Sequence, residues 1–533
     1  MKAIATADTV PGPVLRTRSA WSIYVIFTIC VSLYLLPFMR VLALASDEGT
    51  ILYGAVRIVH GQVFARDFFE IMGPGSFYWL AAFYKLFGVT YFAARTCLFV
   101  SSLGTVLLLY YMSRRVCRSH QMLPCIILIS VVFPCNSHHV DANFFALFSV
   151  ACIVLWQDTH RESLLIIAGA LAGLSTFCLQ TKGTLLVLSI VIWLLLQRRK
   201  GSAAFSSLVS LTVGYLGVIG CVLAYFWSQG ALGSLVYANI TWPAEHYSNV
   251  NVVGYGQGIV IWNWNRYIAI KDAFVWPYNL AAYVVAAFLI APLLFIAALP
   301  ALVPFSALLV TLSGKMKVRT LSPEIVLYLL CGAALWLSEI HRKDIVHLVF
   351  GSPLLILLCI YFLSLGRNKL CDLAFQLLTI TAVWLGMFNF IGVLSAHTIT
   401  TRVGSIAVFK DSPALAFLNT HVGANDEIFV YPYAPTYYFL SATSNPTPFS
   451  LLLYNYNTSS EFHEVISILD RRRVKYVIWD TPILAYTAVS FPGAQPKSPS
   501  DLIMEPYLES HYRAISEDHG IRIMERKEEQ PGN

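Results

Sequence analysis

The sequence predicts an all-α polytopic membrane bundle of about eleven transmembrane helices, carrying a small C-terminal extracytoplasmic α/β domain. Three observations lead there. The 533 residues are 57% apolar and only 12% charged, about half the charge of a soluble fold. Mean hydropathy is +0.65. The apolar residues form continuous runs, such as Ile126 to Phe133 and Leu185 to Leu196, not the dyad alternation of a membrane barrel. A soluble enzyme, a nucleic-acid-binding protein and a disordered scaffold are excluded.

A spanning helix needs ~20 apolar residues. The candidate spans are 21–40, 91–112, 121–135, 142–157, 163–180, 184–197, 205–227, 279–312, 323–338, 346–364 and 371–393. The eighth is long and interrupted by Pro292, Pro300 and Pro304. Short-loop Lys and Arg orient the bundle. They cluster at Lys2, Arg16 and Arg18, at Arg114, Arg115 and Arg118, at Arg198 to Lys200, at Lys315, Lys317 and Arg319, and at Arg367 and Lys369. Placing all of them inside gives a cytoplasmic N-terminus and an odd number of spans. The expected location is a bacterial inner membrane.

This divides the chain into a transmembrane domain, 1–399, and an extracytoplasmic domain, 400–533. The membrane part has a first outer loop at about 46–90 and a later one at about 228–278. The tail holds 11 Lys and Arg against 15 Asp and Glu, so the net charge of +7 belongs to the membrane part. It marks topology and no nucleic-acid partner. In the tail, Glu427 to Tyr431, Val474 to Trp479 and Ile521 to Met524 read as strands and Ser460 to Asp470 as a helix. Gly49 to His60 and Phe77 to Phe87 have one apolar face and read as interfacial helices on the membrane surface.

Charge is scarce, so the outer charges stand out. Asp47 and Glu48 follow the first span. Partly desolvated paired carboxylates suit general-base work or cation binding; the alternative is that Asp47 caps the next helix and Glu48 favours its dipole. Asp141 and His139 lie in Ser137-His138-His139-Val140-Asp141, where an ionisable residue at the boundary needs a wet cavity. Lys182 interrupts an apolar run, either snorkelling to the outer interface or pairing with a lipid phosphate. Arg342, Lys343, Asp344 and His347 form a basic outer segment against the orientation rule. Arg342 can bind a phosphate bidentately and Lys343 as a point charge; anchoring to anionic headgroups is the other reading. His347 would orient that phosphate or join an acid around a divalent cation. No spacing requires a metal or any other cofactor. The aromatics Trp242, Tyr247, Tyr255, Trp262, Trp264, Tyr267, Trp276 and Tyr278 of the later loop suit an interfacial belt or sugar stacking.

The first loop also contains Tyr53-Gly54-Ala55, His60-Gly61, Arg66-Asp67-Phe68-Phe69, Gly73-Pro74-Gly75, Phe87-Gly88 and Ala94-Arg95. In this order, behind an acidic pair, they resemble the first outer loop of GT-C membrane glycosyltransferases, in particular the protein mannosyltransferase and aminoarabinose transferase (glycosyltransferase family 39-like) branch. The resemblance covers roughly 20–200 and recurs near 339–353. It implies an inverting transfer of a sugar from a polyprenyl-phosphate donor to an acceptor hydroxyl of a glycan, lipid or protein on the outer face. It further implies Asp47 as the base with Glu48 as its partner or substitute. Arg342, Lys343, Lys182 and His347 would lie at the donor phosphate, and Asp141, Arg66, Asp67 and His139 in support. A lipid-linked glycan polymerase or ligase, or a non-enzymatic flippase of lipid-linked sugars, is the alternative.

Overall fold

A computed structural model describes residues 18–44, 47–117, 120–197, 202–247, 253–259, 275, 277, 280–316, 321–366, 369–483 and 498–528. Of the sequence features above, Lys2, Arg16, Arg118, Arg198 to Lys200, Lys317, Arg319, Arg367, Trp262, Trp264, Tyr267, Trp276 and Tyr278 lie outside the described residues.

The helices in chain order are α1 (Arg18–Leu35), α2 (Glu48–Val59), α3 (Gly75–Phe87), α4 (Tyr91–Val116), α5 (Leu123–Val131), α6 (His138–Thr159), α7 (Glu162–Cys178), α8 (Gln180–Leu196) and α9 (Ser202–Ser228). They continue with α10 (Leu280–Leu312), α11 (Pro323–Glu339), α12 (Ile345–Gly351), α13 (Pro353–Gly366) and α14 (Lys369–Leu394). Every predicted span therefore contains a helix. Among the described residues, five helices are long and apolar enough to cross a membrane alone, namely α4, α6, α10, α14 and Phe205–Ser228 of α9. A sixth span arises if α12 and α13, bent by 68° at their break, count as one. The remaining predicted spans hold shorter helices: α5 has nine residues, and α1, α7, α8 and α11 have 17 or 18. Pro353 opens α13, and a proline there cannot donate to the preceding turn, so the chain turns where α12 ends. Large apolar side chains stay exposed on the outer helices, including Ile26, Ile29 and Leu33 on α1, Phe205 and Leu216 on α9, and Leu377 and Ile380 on α14. Such surfaces fit lipid; the chain is a multi-pass membrane protein.

The C-terminal region forms a hairpin, β1 (His397–Thr401) with β2 (Gly404–Val408), and a four-stranded sheet of order β3-β4-β6-β5. Its strands are β3 (Ile428–Tyr431), β4 (Tyr476–Asp480), β5 (Tyr512–Asp518) and β6 (Ile521–Arg526). β3 and β4 run parallel, which requires a crossover; the helix Ser459–Arg472 supplies it, opened by a capping box between Thr458 and Glu461. The hairpin, the strand β5 and the short helix α15 (Thr436–Ser441) carry too few patterned residues for the sequence to reveal them.

α2 does not lie on a lipid surface. Eleven of its twelve residues are buried, because α3 covers one face and the C-terminal region covers another. Tyr53 stacks on Tyr438 at 4.8 Å, and the Tyr53 hydroxyl accepts from the Asn445 amide at 2.7 Å. Arg57 donates to the Thr447 carbonyl at 3.1 Å. Gly49 makes the closest approach: a Cβ there would stand 2.1 Å from Thr436 Oγ1 and 2.5 Å from its backbone nitrogen. A glycine at that position lets the first loop and α15 touch.

Candidate active site

Asp47 and Glu48, adjacent in sequence, are put to different uses. Asp47 is exposed and makes no side-chain cap bond to α2, so the capping alternative is not realised. Its Oδ1 accepts from the Tyr433 hydroxyl at 2.7 Å. Tyr433 follows β3, near Thr50 Oγ1 at 3.4 Å; burial, reinforced by the Asp47 carboxylate, pushes its phenol well above the usual range. The hydroxyl is therefore a committed donor to Asp47. Glu48 points inward. It is 5% exposed, forms an ion pair with Arg95 and accepts from the Asn136 amide at 2.6 Å. Arg95 also donates to the Tyr91 hydroxyl, Asn136 Oδ1 and the Val41 carbonyl. The Glu48–Arg95 pair thereby ties α2 and α4 to Val41, beyond α1, and to Asn136, just before α6, and the geometry of Glu48 departs from the expectation of a second base.

A second cluster forms at the same end of the bundle, where α6 and α8 begin and α11 ends. Asp344 caps α12, accepting from the Val346 and His347 amides at 3.1 and 3.2 Å. It also accepts from Arg342 Nε at 2.6 Å and lies 2.9 Å from His347 Nδ1. Burial alone would raise this carboxyl; His347 and Arg342 outweigh it and hold it at about 2. Asp344 thus orients two of the four residues expected at a donor phosphate, Arg342 and His347. Burial pushes the neighbouring His341 down to about 4. Lys343 is exposed, and its carbonyl accepts from the Gly256 amide at 2.8 Å, pinning the later loop to this segment.

Lys182 corrects the sequence reading. It is fully buried, 2.5 Å from Glu339 Oε1, and donates to Asn143 Oδ1 at 2.7 Å. It neither snorkels nor stands free for a lipid phosphate, because Glu339, the last residue of α11, supplies its carboxylate. His139, in the first turn of α6, lies 3.1 Å from the same Glu339 oxygen, with the His347 ring centroid 4.8 Å from its own. Asp141 turns away from this cluster and accepts from Ser101 at 2.8 Å. Arg66 and Asp67 form an ion pair at 2.8 Å that clips the loop to the Gln229 carbonyl at the end of α9. Among the described residues, no side-chain bond joins Asp141, Arg66 or Asp67 to Asp47 or to the Arg342 segment.

Residues outside the initial candidate set link the two clusters. Tyr247, ending a π-helical turn (Pro243–Tyr247), lies within electrostatic range of Arg342, Glu339, Asp344 and Asp47, and burial pushes it up to about 12. Tyr456 of the tail acts electrostatically on Arg342 and stacks on Trp242 at 5.5 Å. Trp242 is 2% exposed, so it is packed under the site and not in a lipid belt. Departures such as π turns accompany functional sites, but neither tyrosine carries a spacing signal.

Glu70 is a further buried acid, three residues beyond Asp67. Burial pushes its carboxyl up to about 8, with the Asp47 charge adding and Ser450 and Arg57 opposing. Its folded value exceeds the unfolded one, so the fold loses stability as pH climbs from the unfolded value of 4.5 through about 8. Wild type is expected to lose on the order of 4 kcal/mol across that window, and Glu70→Gln none of this component. Denaturation in detergent at pH 5 and 8.5 measures it; identical pH profiles would refute it.

His139, Glu339 and His347 each offer one atom for a metal ion, and Arg342 and Lys343 offer charge for a phosphate. Residues 72–227 match the family model for dolichyl-phosphate-mannose-protein mannosyltransferases. No curated protein matches the sequence. Among solved structures, ArnT from Cupriavidus metallidurans bound to undecaprenyl phosphate shares 12% identity at a TM-score of 0.45, over 95% of this chain and 98% of its own. The oligosaccharyltransferase AglB from Archaeoglobus fulgidus, in complex with an inhibitory peptide and a dolichol-phosphate, shares 11% at 0.44, over 92% and 76%. The arabinofuranosyltransferase AftD from Mycobacteria shares 12% at 0.46, over 98% of this chain and 41% of its own. Over 72–227 the sequence is thus similar to the dolichyl-phosphate-mannose-protein mannosyltransferases, the same branch of GT-C membrane glycosyltransferases that its first-loop motifs resemble.

Proposed function

We propose that the protein transfers a sugar from a polyprenyl-phosphate donor to an acceptor hydroxyl on the extracytoplasmic face, with inversion. The observation that carries this reading is the pairing of one exposed carboxylate, Asp47, with an oriented cationic segment at the same end of the bundle, Tyr247 lying in electrostatic reach of both. Asp47 takes the acceptor proton as the hydroxyl oxygen attacks the anomeric carbon. The bond from that carbon to the phosphate oxygen breaks, and the electron pair leaves on the phosphate. Arg342, held by Asp344, and Lys343 stabilise that developing charge. Lys182, paired with Glu339, acts through the scaffold and not on the phosphate.

Incubating membranes that contain the protein with radiolabelled polyprenyl-phosphate sugars tests this: label is expected in an acceptor fraction. Movement of labelled lipid across vesicles without a new glycosidic bond would favour a flippase instead. Arg342→Gln is expected to lower transfer about 10- to 100-fold, in line with loss of a charge-stabilising group worth ~1.4–2.7 kcal/mol, while Arg342→Lys retains part of it. Unchanged rates in both would remove Arg342 from the phosphate.

A further inference from the structure

We infer that His139, Glu339 and His347 form a binding site for one divalent transition-metal ion of the zinc class. Three chain segments converge there: the first turn of α6, the last residue of α11 and the first turn of α12. Their ligand atoms all lie within 4.8 Å of one another. Atoms around a zinc ion at ~2.1 Å stand roughly 3.4 Å apart in a tetrahedron, so side-chain rotations of about an ångström would close the set.

Two further observations point to a ligand. Glu339 is 0% exposed, and its Oε2, beside His139 Nδ1 at 3.0 Å, makes no hydrogen bond. A buried carboxylate oxygen left so is costly. Lys182 accounts for the other oxygen, which leaves Oε2 as the one to bind. His347 directs its Nδ1 at Asp344. That contact assigns the proton to Nδ1 and leaves the Nε2 lone pair for a metal, the carboxylate-histidine arrangement that supports metal ligands. Two imidazoles and one carboxylate suit zinc, with manganese or cobalt as substitutes, and leave a coordination position open. An oxyanion such as a phosphate is the class of exogenous ligand that position would take.

The test uses the full chain purified through a tag that binds no metal. Elemental analysis is expected to find about one zinc per protein, and cobalt loading to produce visible ligand-field bands. His139→Ala and His347→Ala should each lower retained zinc at least tenfold, with elution as a folded monodisperse species as the control. Asp344→Asn should weaken zinc retention less than either histidine change. Should Glu339→Gln fail to fold because Lys182 loses its partner, the two histidine variants still decide the matter. Zinc-free wild-type protein that binds no added zinc would overturn the inference, as would zinc retained in the double histidine variant. The assignment does not depend on sugar transfer: protein that transfers sugar but binds no added zinc sinks this site alone, and zinc-loaded protein that transfers nothing sinks only the proposed reaction.

Discussion

Asp47→Asn is expected to lower sugar transfer by roughly 10²- to 10⁴-fold, the range for removing a general base, with little change in stability. Asparagine has the same shape and still accepts from the Tyr433 hydroxyl, so the contact at 2.7 Å survives while the proton acceptor is lost. Because the Asp47 side chain makes no cap bond to α2, the helix start should not weaken. Initial rates with a saturating donor, together with a thermal-unfolding measurement, separate these effects. Transfer within threefold of wild type would remove Asp47 from the chemistry. A destabilised but intrinsically active variant would return it to a structural role. Tyr433→Phe serves as the companion: the base remains without its orienting donor, so a smaller loss of rate is expected.

The neighbouring acid should behave in the opposite way. Glu48→Gln leaves the Arg95 guanidinium 5% exposed without its carboxylate, and breaking one side of such a buried pair costs about 3–5 kcal/mol. The Asn136 amide, 2.6 Å from Glu48 Oε1, keeps an acceptor, but the charge does not. The expected result is a large fall in folded protein recovered in detergent, with the surviving fraction still able to transfer sugar. Arg95→Gln alone should be as damaging, since it strands the carboxylate. The double variant should recover part of the loss, because two neutral amides leave no buried charge. A stable but inactive Glu48→Gln variant would instead make Glu48 the base.

Neighbours in sequence can thus diverge completely in use, which explains how much of the site could be read early. The acidic pair, the basic segment at Arg342 to His347 and the odd lysine at 182 were all visible, because a charge in a chain that is 12% charged has few neutral explanations. Their partners were not visible. Tyr433 lies 386 residues from Asp47 and Glu339 lies 157 from Lys182, and no periodicity links positions that far apart. Helix positions were legible for the same reason as the charges, since apolar runs declare themselves. Helix lengths were less so: α5 stops at Val131, although the apolar run continues to Phe133.

The sequence by itself determined a lipid-dissolved helical bundle, the residues at which charge interrupts it, and a likeness to one glycosyltransferase branch, because burial in hydrocarbon selects composition residue by residue. Only the tertiary structure decided which charges are spent on one another. Glu48 is neutralised by Arg95 and Lys182 by Glu339, whereas Asp47 stays exposed against a tyrosine of the C-terminal region. That outcome depends on which helix ends meet in space, since the cost of a buried charge is set by the partner within a few ångströms.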